Sequence, residues 1–397
     1  MGRMKEIPAL GLLASVLSLS VLTTPAGAEI GYGRFTFLPQ LALQETYRSN
    51  LYLTESNRKS DFVTTVTPGL GFRYLFGNNS MFSLDYKVGF LNFARYSSNN
   101  YQDHRANGLL HWVAPGGLEF TLGDSFTRST LERVQTMVRE EPFTENFFNG
   151  AAAYRFTDRW KVEGKYVRDD TAYDSSQFNI ADYTSNLYGT SLYYRFLPRT
   201  SGLVEYDYVI KSFPNDRLVD QTQHLAYAGL AFDPAGKLKG SLKAGYGWQE
   251  FDTSVQGRDN SPRNWIMAVQ VVDDFDSRTS VTLDAMRAFA NDATLVNASY
   301  INTWATLTFQ HFFTGKIGAV GVASYRERDY TENLLDPGTG TLGKRTDRIW
   351  TFGTGGFYNI QKWLQVRLEY QYQDSNSNFN QYSYVDHRVS LRVVLSP

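Results

Sequence analysis

Along most of the chain, apolar and polar side chains alternate one by one. In Trp363–Gln373, Leu364, Val366, Leu368, Tyr370 and Tyr372 share one side, and Gln365, Arg367, Glu369, Gln371 and Gln373 the other. Leu238–Gln249 repeats the pattern, with Leu242, Ala244, Tyr246 and Trp248 set against Lys239, Ser241, Lys243 and Gln249. Phe82–Phe90 and Val385–Leu395 do the same. Period two marks strands whose faces meet different surroundings. These runs span about 10–14 residues, where soluble strands usually run five or six, and about 9–11 tilted residues cross a bilayer core. Membrane-spanning strands are predicted.

The connections alternate in kind. Short turn clusters such as Gly77-Asn78-Asn79, Thr157-Asp158-Arg159 and Thr314-Gly315-Lys316 are separated by longer polar stretches such as Asp174–Asp182 and Thr253–Ser261. Eight of the first kind and nine of the second imply eighteen strands. Short turns at one rim and longer loops at the other describe an all-β, antiparallel up-and-down transmembrane barrel, with both termini on the periplasmic side. Sixteen strands is the alternative if the weak hairpins around Ala288–Thr308 are split wrongly. The soluble alternative is a large β-sandwich or solenoid. The longest stretches, Leu131–Glu145 and Thr331–Arg345, are the ones expected to constrict or cover the mouth.

Residues Met1–Ala28 lie outside this pattern. Arg3 and Lys5 precede an apolar run, Ala9–Val21, and the small residues Ala26-Gly27-Ala28. This is the layout of a secretory signal peptide cleaved after Ala28. Residues 29–397 would then form the barrel.

Composition sharpens the picture. Among 397 residues, 26 Tyr, 27 Phe and 7 Trp stand beside no Cys at all. The ring content excludes disorder, and the missing thiols exclude disulfides and thiolate chemistry. Aromatics cluster near strand ends, as at Tyr193, Tyr194 and Phe196, where an interfacial girdle would lie. With 39 basic and 40 acidic side chains, no net field attracts nucleic acid.

The more polar face of each clear strand supplies candidate lumen-lining residues. They are Asp85, Lys87, Glu119, Lys161, Glu163, Lys165, Glu205, Asp207, Lys239 and Lys243, followed by Arg367, Glu369, Asp386, Arg388 and Arg392. The signs are mixed, which argues against a strongly ion-selective ring. Wall-stiffening salt bridges are the plain reading. A wet path for a large hydroxyl-rich solute is the sharper one, with Tyr193 and Tyr227 as stacking platforms. The five histidines are scattered over different strands, and no Gly-x-Ser-x-Gly elbow or phosphate-binding loop occurs. No catalytic residue, metal site or cofactor is expected.

One stretch carries a resemblance. Glu45-x-Tyr47, Asn50-Leu51-Tyr52-Leu53-Thr54, Ser60-Asp61-Phe62-Val63-Thr64 and Thr67-Pro68-Gly69-Leu70 resemble the opening hairpin of the "putative beta-barrel porin 2" family. The resemblance implies an outer-membrane barrel associated with exopolysaccharide synthesis and export, and it assigns no binding residue. Pro68 lacks an N–H for the ladder and implies a bulge or bend. The expected partners are outer-membrane lipid and lipopolysaccharide, a polysaccharide chain and a periplasmic export protein, with the barrel a monomer. A passive export conduit is the leading function. A general or sugar-uptake porin and a non-transport scaffold or adhesin are the alternatives.

Overall fold

A computed structural model describes residues 30–77, 79–132, 140–233, 235–256, 258–292, 298–336 and 338–396. The expected signal segment with its cleavage site, and the loop residues Arg133 and Arg139, lie outside the described residues. The chain forms β1 (Ile30–Tyr32), β2 (Phe35–Arg48), β3 (Asp61–Phe76), β4 (Ser80–Phe93), β5 (Tyr101–Val113) and β6 (Leu118–Leu131). It continues with β7 (Glu141–Arg155), β8 (Trp160–Tyr173), β9 (Tyr183–Leu197), β10 (Thr200–Ser212), β11 (Gln221–Phe232), β12 (Leu238–Phe251) and β13 (Arg263–Asp274). The last third holds β14 (Thr279–Asp292), β15 (Ala298–Phe312), β16 (Ile317–Leu335), β17 (Leu342–Gln361), β18 (Leu364–Ser377) and β19 (Tyr384–Leu395).

Each strand pairs antiparallel with the next, and β19 returns to β2 over Leu41–Arg48. Strands β2 to β19 therefore close an eighteen-stranded barrel. Closure satisfies backbone groups that lipid cannot. β1 pairs with Phe35–Phe37, beside the part of β2 that β19 does not reach. The connections follow the predicted alternation, tight at one rim and longer at the other.

Three details depart from expectation. Thr331–Leu335 and Leu342–Arg345 are strand, so the supposed long loop between β16 and β17 is only the connection 336–341. Asp336 folds it tightly, accepting from Gly338 N and Thr339 Oγ1. Glu141–Glu145 likewise belong to β7 rather than to a loop. Between β16 and β17 no long loop remains, while 133–139 lie outside the described residues. At Pro68 the β3–β4 ladder is interrupted without a bulge, since Val66↔Phe90 and Gly69↔Lys87 keep one register. Gly69 is needed for close approach, because a Cβ there would lie 2.9 Å from Lys87 Cγ.

The outer face is apolar, with Leu70, Val204 and Leu368 all well exposed. Rings gather toward both rims: Phe35–Tyr74, Trp112–Phe120 and Trp160–Tyr194 near the short turns and Tyr47–Phe62 at the longer loops, with Tyr166–Tyr188 and Tyr325–Trp350 nearer mid-strand. Amphipathic rings in two belts match the two interfaces of a bilayer. Three histidines complete the outer surface, each with Nδ1 2.6–2.9 Å from a tyrosine hydroxyl: Tyr86–His104, Tyr206–His224 and Tyr370–His387.

Four of the longer loops share one construction. Short 3-10 turns occupy Ser97–Asn99, Asn179–Ala181, Arg217–Val219 and Asn380–Tyr382. The residue that follows accepts a backbone N–H from the upper end of the ascending strand: Asn100 from Phe93, Asp182 from Tyr173, Asp220 from Phe213 and Ser383 from Ser377. These loops are short clamps.

Candidate functional site

All fifteen candidate residues fall on the face opposite the exposed apolar side chains, which is the inner wall. Register brings several together. Lys165 on β8 reaches two strands across to donate to Glu205 (2.6 Å) and Asp207 (3.0 Å) on β10. Lys243 on β12 donates to the same Glu205 from the other side. Lys165, Glu205 and Asp207 side chains are at most 5% exposed. Between them Gly189 leaves the room they need, since a Cβ there would sit 2.3 Å from Lys165 Cε.

The other candidates pair locally. Lys161 meets Glu163 at 3.0 Å, Arg367 meets Glu369 at 3.3 Å and Arg388 meets Asp386 at 2.6 Å. Lys239 reaches Asp274 at 2.7 Å, and Asp85 accepts from Asn107. Lys87, Glu119 and Arg392 have no ion pair among the described residues. Tyr193 and Tyr227 do point inward, and each carries a lysine ammonium over its ring, Lys161 at 4.0 Å and Lys243 at 4.7 Å.

The long-loop half of the interior holds a second arrangement, which the alternation did not reveal. β13 and β14 pair only over Met267–Asp274 and Ser280–Arg287, and above that level they separate. The upper end of β14 turns inward. Its Asn291 accepts from Lys211 on β10 (3.4 Å) and Gln221 on β11 (3.0 Å), several strands away around the wall. Phe289, Leu225 and Ile266 all crowd onto Gly247, within 3.2 Å of where its Cβ would be. Arg287 bridges the separated strands, donating to Asn264 Oδ1 at 3.2 Å with its guanidinium 4.5 Å from the Trp265 ring.

Beside it, Tyr330 on β16 is 1% exposed and donates to Asp292. Arg345 on β17 lies 3.2 Å from the Tyr382 ring centre and 4.9 Å from that of Tyr330, and pairs with Asp347 at 2.6 Å. A second bridge crosses the interior where Arg48, at the end of β2, donates to Glu132 just beyond β6. Tyr101 also donates to Glu132, at 3.2 Å. Burial opposes ionisation of Glu132. Arg48 outweighs it and, with Arg388 and the Tyr101 hydrogen bond, holds the carboxyl below the usual glutamate range.

Toward the long loops the interior is thus bridged by side chains. Toward the short turns the wall carries paired charges, such as Lys161–Glu163 and Lys239–Asp274, beside others, such as Arg392, that form no ion pair among the described residues. Gln270 on the inner face of β13 and Glu119 near the start of β6 are exposed there. The sequence reading missed Arg48, Glu132, Lys211, Asn291, Asp292, Tyr330 and Arg345. Some lay in stretches taken for loops, and the pairs join distant strands, for which one sequence gives no register. Among the described residues no cluster of His, Asp and Glu has the geometry to hold a metal.

A family model described as "Putative beta-barrel porin 2" matches residues 24–396. No curated protein matches the chain. Among solved structures it is similar to the outer membrane protein opdK from Pseudomonas aeruginosa, at 14% identity over 91% of this chain and 99% of that one, with a TM-score of 0.44. It is similar also to OccK2 (OpdF) of the same organism, at 12% identity over 91% and 98% of the chains, TM-score 0.45. A third is OccAB4 of Acinetobacter baumannii, at 11% identity over 91% and 98%, TM-score 0.43.

Proposed function

The chain belongs to the putative beta-barrel porin 2 family, and from that premise we propose that it is a gated conduit through which an exopolysaccharide leaves the cell. It is an outer-membrane β-barrel of porin type, so the short-turn rim faces the periplasm and the longer loops face outside. The observation that carries the export reading is the side on which side chains bridge the lumen. A channel for passive uptake needs a standing opening toward the medium. Here the extracellular half is bridged by Lys211–Asn291, Gln221–Asn291 and Arg48–Glu132, while charges line the periplasmic half. A conduit loaded from within is served by that polarity, staying shut until a chain arrives from the periplasm.

Passage needs no chemistry on the polymer. Hydroxyl-rich chains exchange hydrogen bonds with a wall of carboxylates, ammoniums and guanidiniums, and they stack on inward rings such as Tyr193 and Tyr227. Opening requires the upper ends of β14 and β16 to move from the interior. A periplasmic export protein docked on the short-turn rim is the proposed source of the arriving chain.

The test is a strain lacking this protein, assayed for polysaccharide on the surface and in the periplasm. Export predicts loss outside and accumulation inside, restored by the intact chain. Unchanged surface polymer with slower growth on a sole sugar would point to an uptake porin instead. No change in either would leave a scaffold or adhesin.

A further inference from the structure

At the periplasmic rim, between the turns that join β7 to β8, β9 to β10 and β11 to β12, lies a cavity of about 140 Å³. Its cationic lining comprises Arg155, Arg159, Lys161, Arg195 and Arg199, and Tyr193 is one of its three aromatic residues, with Trp160 and Phe232. Only two carboxylates, Asp158 and Asp233, share it. Arg155, Arg195 and Arg199 make no ion pair or side-chain hydrogen bond among the described residues. Among the described residues the Arg159 guanidinium donates only to the Tyr194 hydroxyl, at 3.3 Å. Elsewhere on the inner wall most cations are matched by a nearby acid. Here guanidiniums converge unmatched around a space large enough for one sugar ring.

Resting on the export reading, we infer that this cavity is an entry site for the carboxylate-bearing residue of an acidic polysaccharide. Planar guanidiniums engage carboxylates through two parallel hydrogen bonds, a geometry that neutral hydroxyls cannot exploit to the same degree. Tyr193 lies beside Lys161, whose ammonium is 4.0 Å from the ring centre, so a stacking surface and a charge stand together. From there the inner wall rises through Lys161–Glu163 to Lys165, Glu205 and Lys243, where every charge is already paired. The anionic group is therefore held most strongly at the mouth. A gradient of that sense admits the chain end and does not trap it further in.

Calorimetry on the full chain in detergent tests this, with a galacturonate tetrasaccharide as probe and a malto-oligosaccharide of equal length as the neutral control. The acidic probe should bind at least about tenfold more tightly. Its binding should weaken as salt rises from roughly 0.05 to 0.5 M, because screening shortens the reach of exposed charges. Replacing Arg155, Arg195 and Arg199 together by Gln should abolish the preference, and Lys in the same positions should restore part of it. Retention of the heat-dependent shift in gel mobility shows that each variant barrel is folded. Equal binding of both probes, or full binding by the Gln variant, would overturn the site. An acidic probe that binds normally while the deletion strain keeps its surface polymer would leave the site standing and remove the export reading alone.

Discussion

The two ends of this lumen use the same residue types to opposite effect. At the periplasmic end Arg155, Arg195 and Arg199 face a cavity and form no ion pair among the described residues. At the extracellular end Arg48 is matched by Glu132 and Arg345 by Asp347, and Arg345 is also covered by Tyr382 and Tyr330. A guanidinium in the first setting is available to a ligand, and in the second it is a strut. Pairing across strands, rather than composition, separates a mouth from a lid.

The largest effect should come from the buried charges between the two ends. Lys165 neutralises Glu205 and Asp207 in a setting almost closed to water. Lys165→Met would strand Asp207 and leave Glu205 with Lys243 alone, and breaking a buried pair in this way costs about 3–5 kcal/mol. Thermal unfolding in detergent should show that loss. Lys239→Met, whose partner Asp274 lies near the short-turn rim and is partly exposed, should change stability by no more than about 1 kcal/mol. Similar losses at both sites would mean that the middle of the wall is as wet as its rim.

Next comes the lid itself. Lys211→Ala combined with Asn291→Ala removes the contacts that hold upper β14 against β10 and β11. Losing roughly 1.4 kcal/mol of closure raises the open population about tenfold. Planar-bilayer recordings should show brief openings in the parent and long ones in the double variant. Equal traces would place the closure elsewhere.

Much of this comparison was written in the chain, and part was not. Alternation revealed strands, faces and connections because lipid and interior impose opposite chemistry on neighbouring residues. It therefore placed Lys165, Glu205 and Arg388 on one face without any structure. It failed where that contrast lapses. The upper end of β14 has protein on both sides, with Phe289 packed against Gly247 and Asn291 against Gln221, so Ala288–Asp292 shows no clean period. Thr331–Leu335 read as loop because Thr331, Glu332 and Asn333 are polar in a row, and there the β16–β17 register itself shifts. The loop clamps left a faint signal, a short polar acceptor just before the next strand at Asn100, Asp182, Asp220 and Ser383.

Those clamps set the third prediction. Asp220→Ala removes the acceptor of the Phe213 N–H and should cost about 1 kcal/mol. Hydrogen exchange should quicken within 213–220 and leave β10 and β11 protected. Exchange spreading down both strands would show that the loops, and not the ladders, hold the extracellular end together.

The smallest effect concerns the bridge from Arg48 to Glu132, and it has a sign that can be fixed in advance. A carboxyl held below its ordinary value of 4.5 contributes stability that is fully present above that value. The contribution fades only as pH falls through the lowered one. Glu132→Gln should raise the leak at neutral pH modestly, because the remaining contacts of β14 still close the lumen. The difference between parent and variant should persist unchanged from about pH 7 to about pH 5 and vanish only in stronger acid. Binding at the periplasmic mouth involves neither Arg48 nor Glu132 and should not follow the same curve. If the parent already leaks like the variant at pH 5, Glu132 is protonated too early to be the partner of Arg48. The second bridge across the extracellular half would then have to be replaced by another pair.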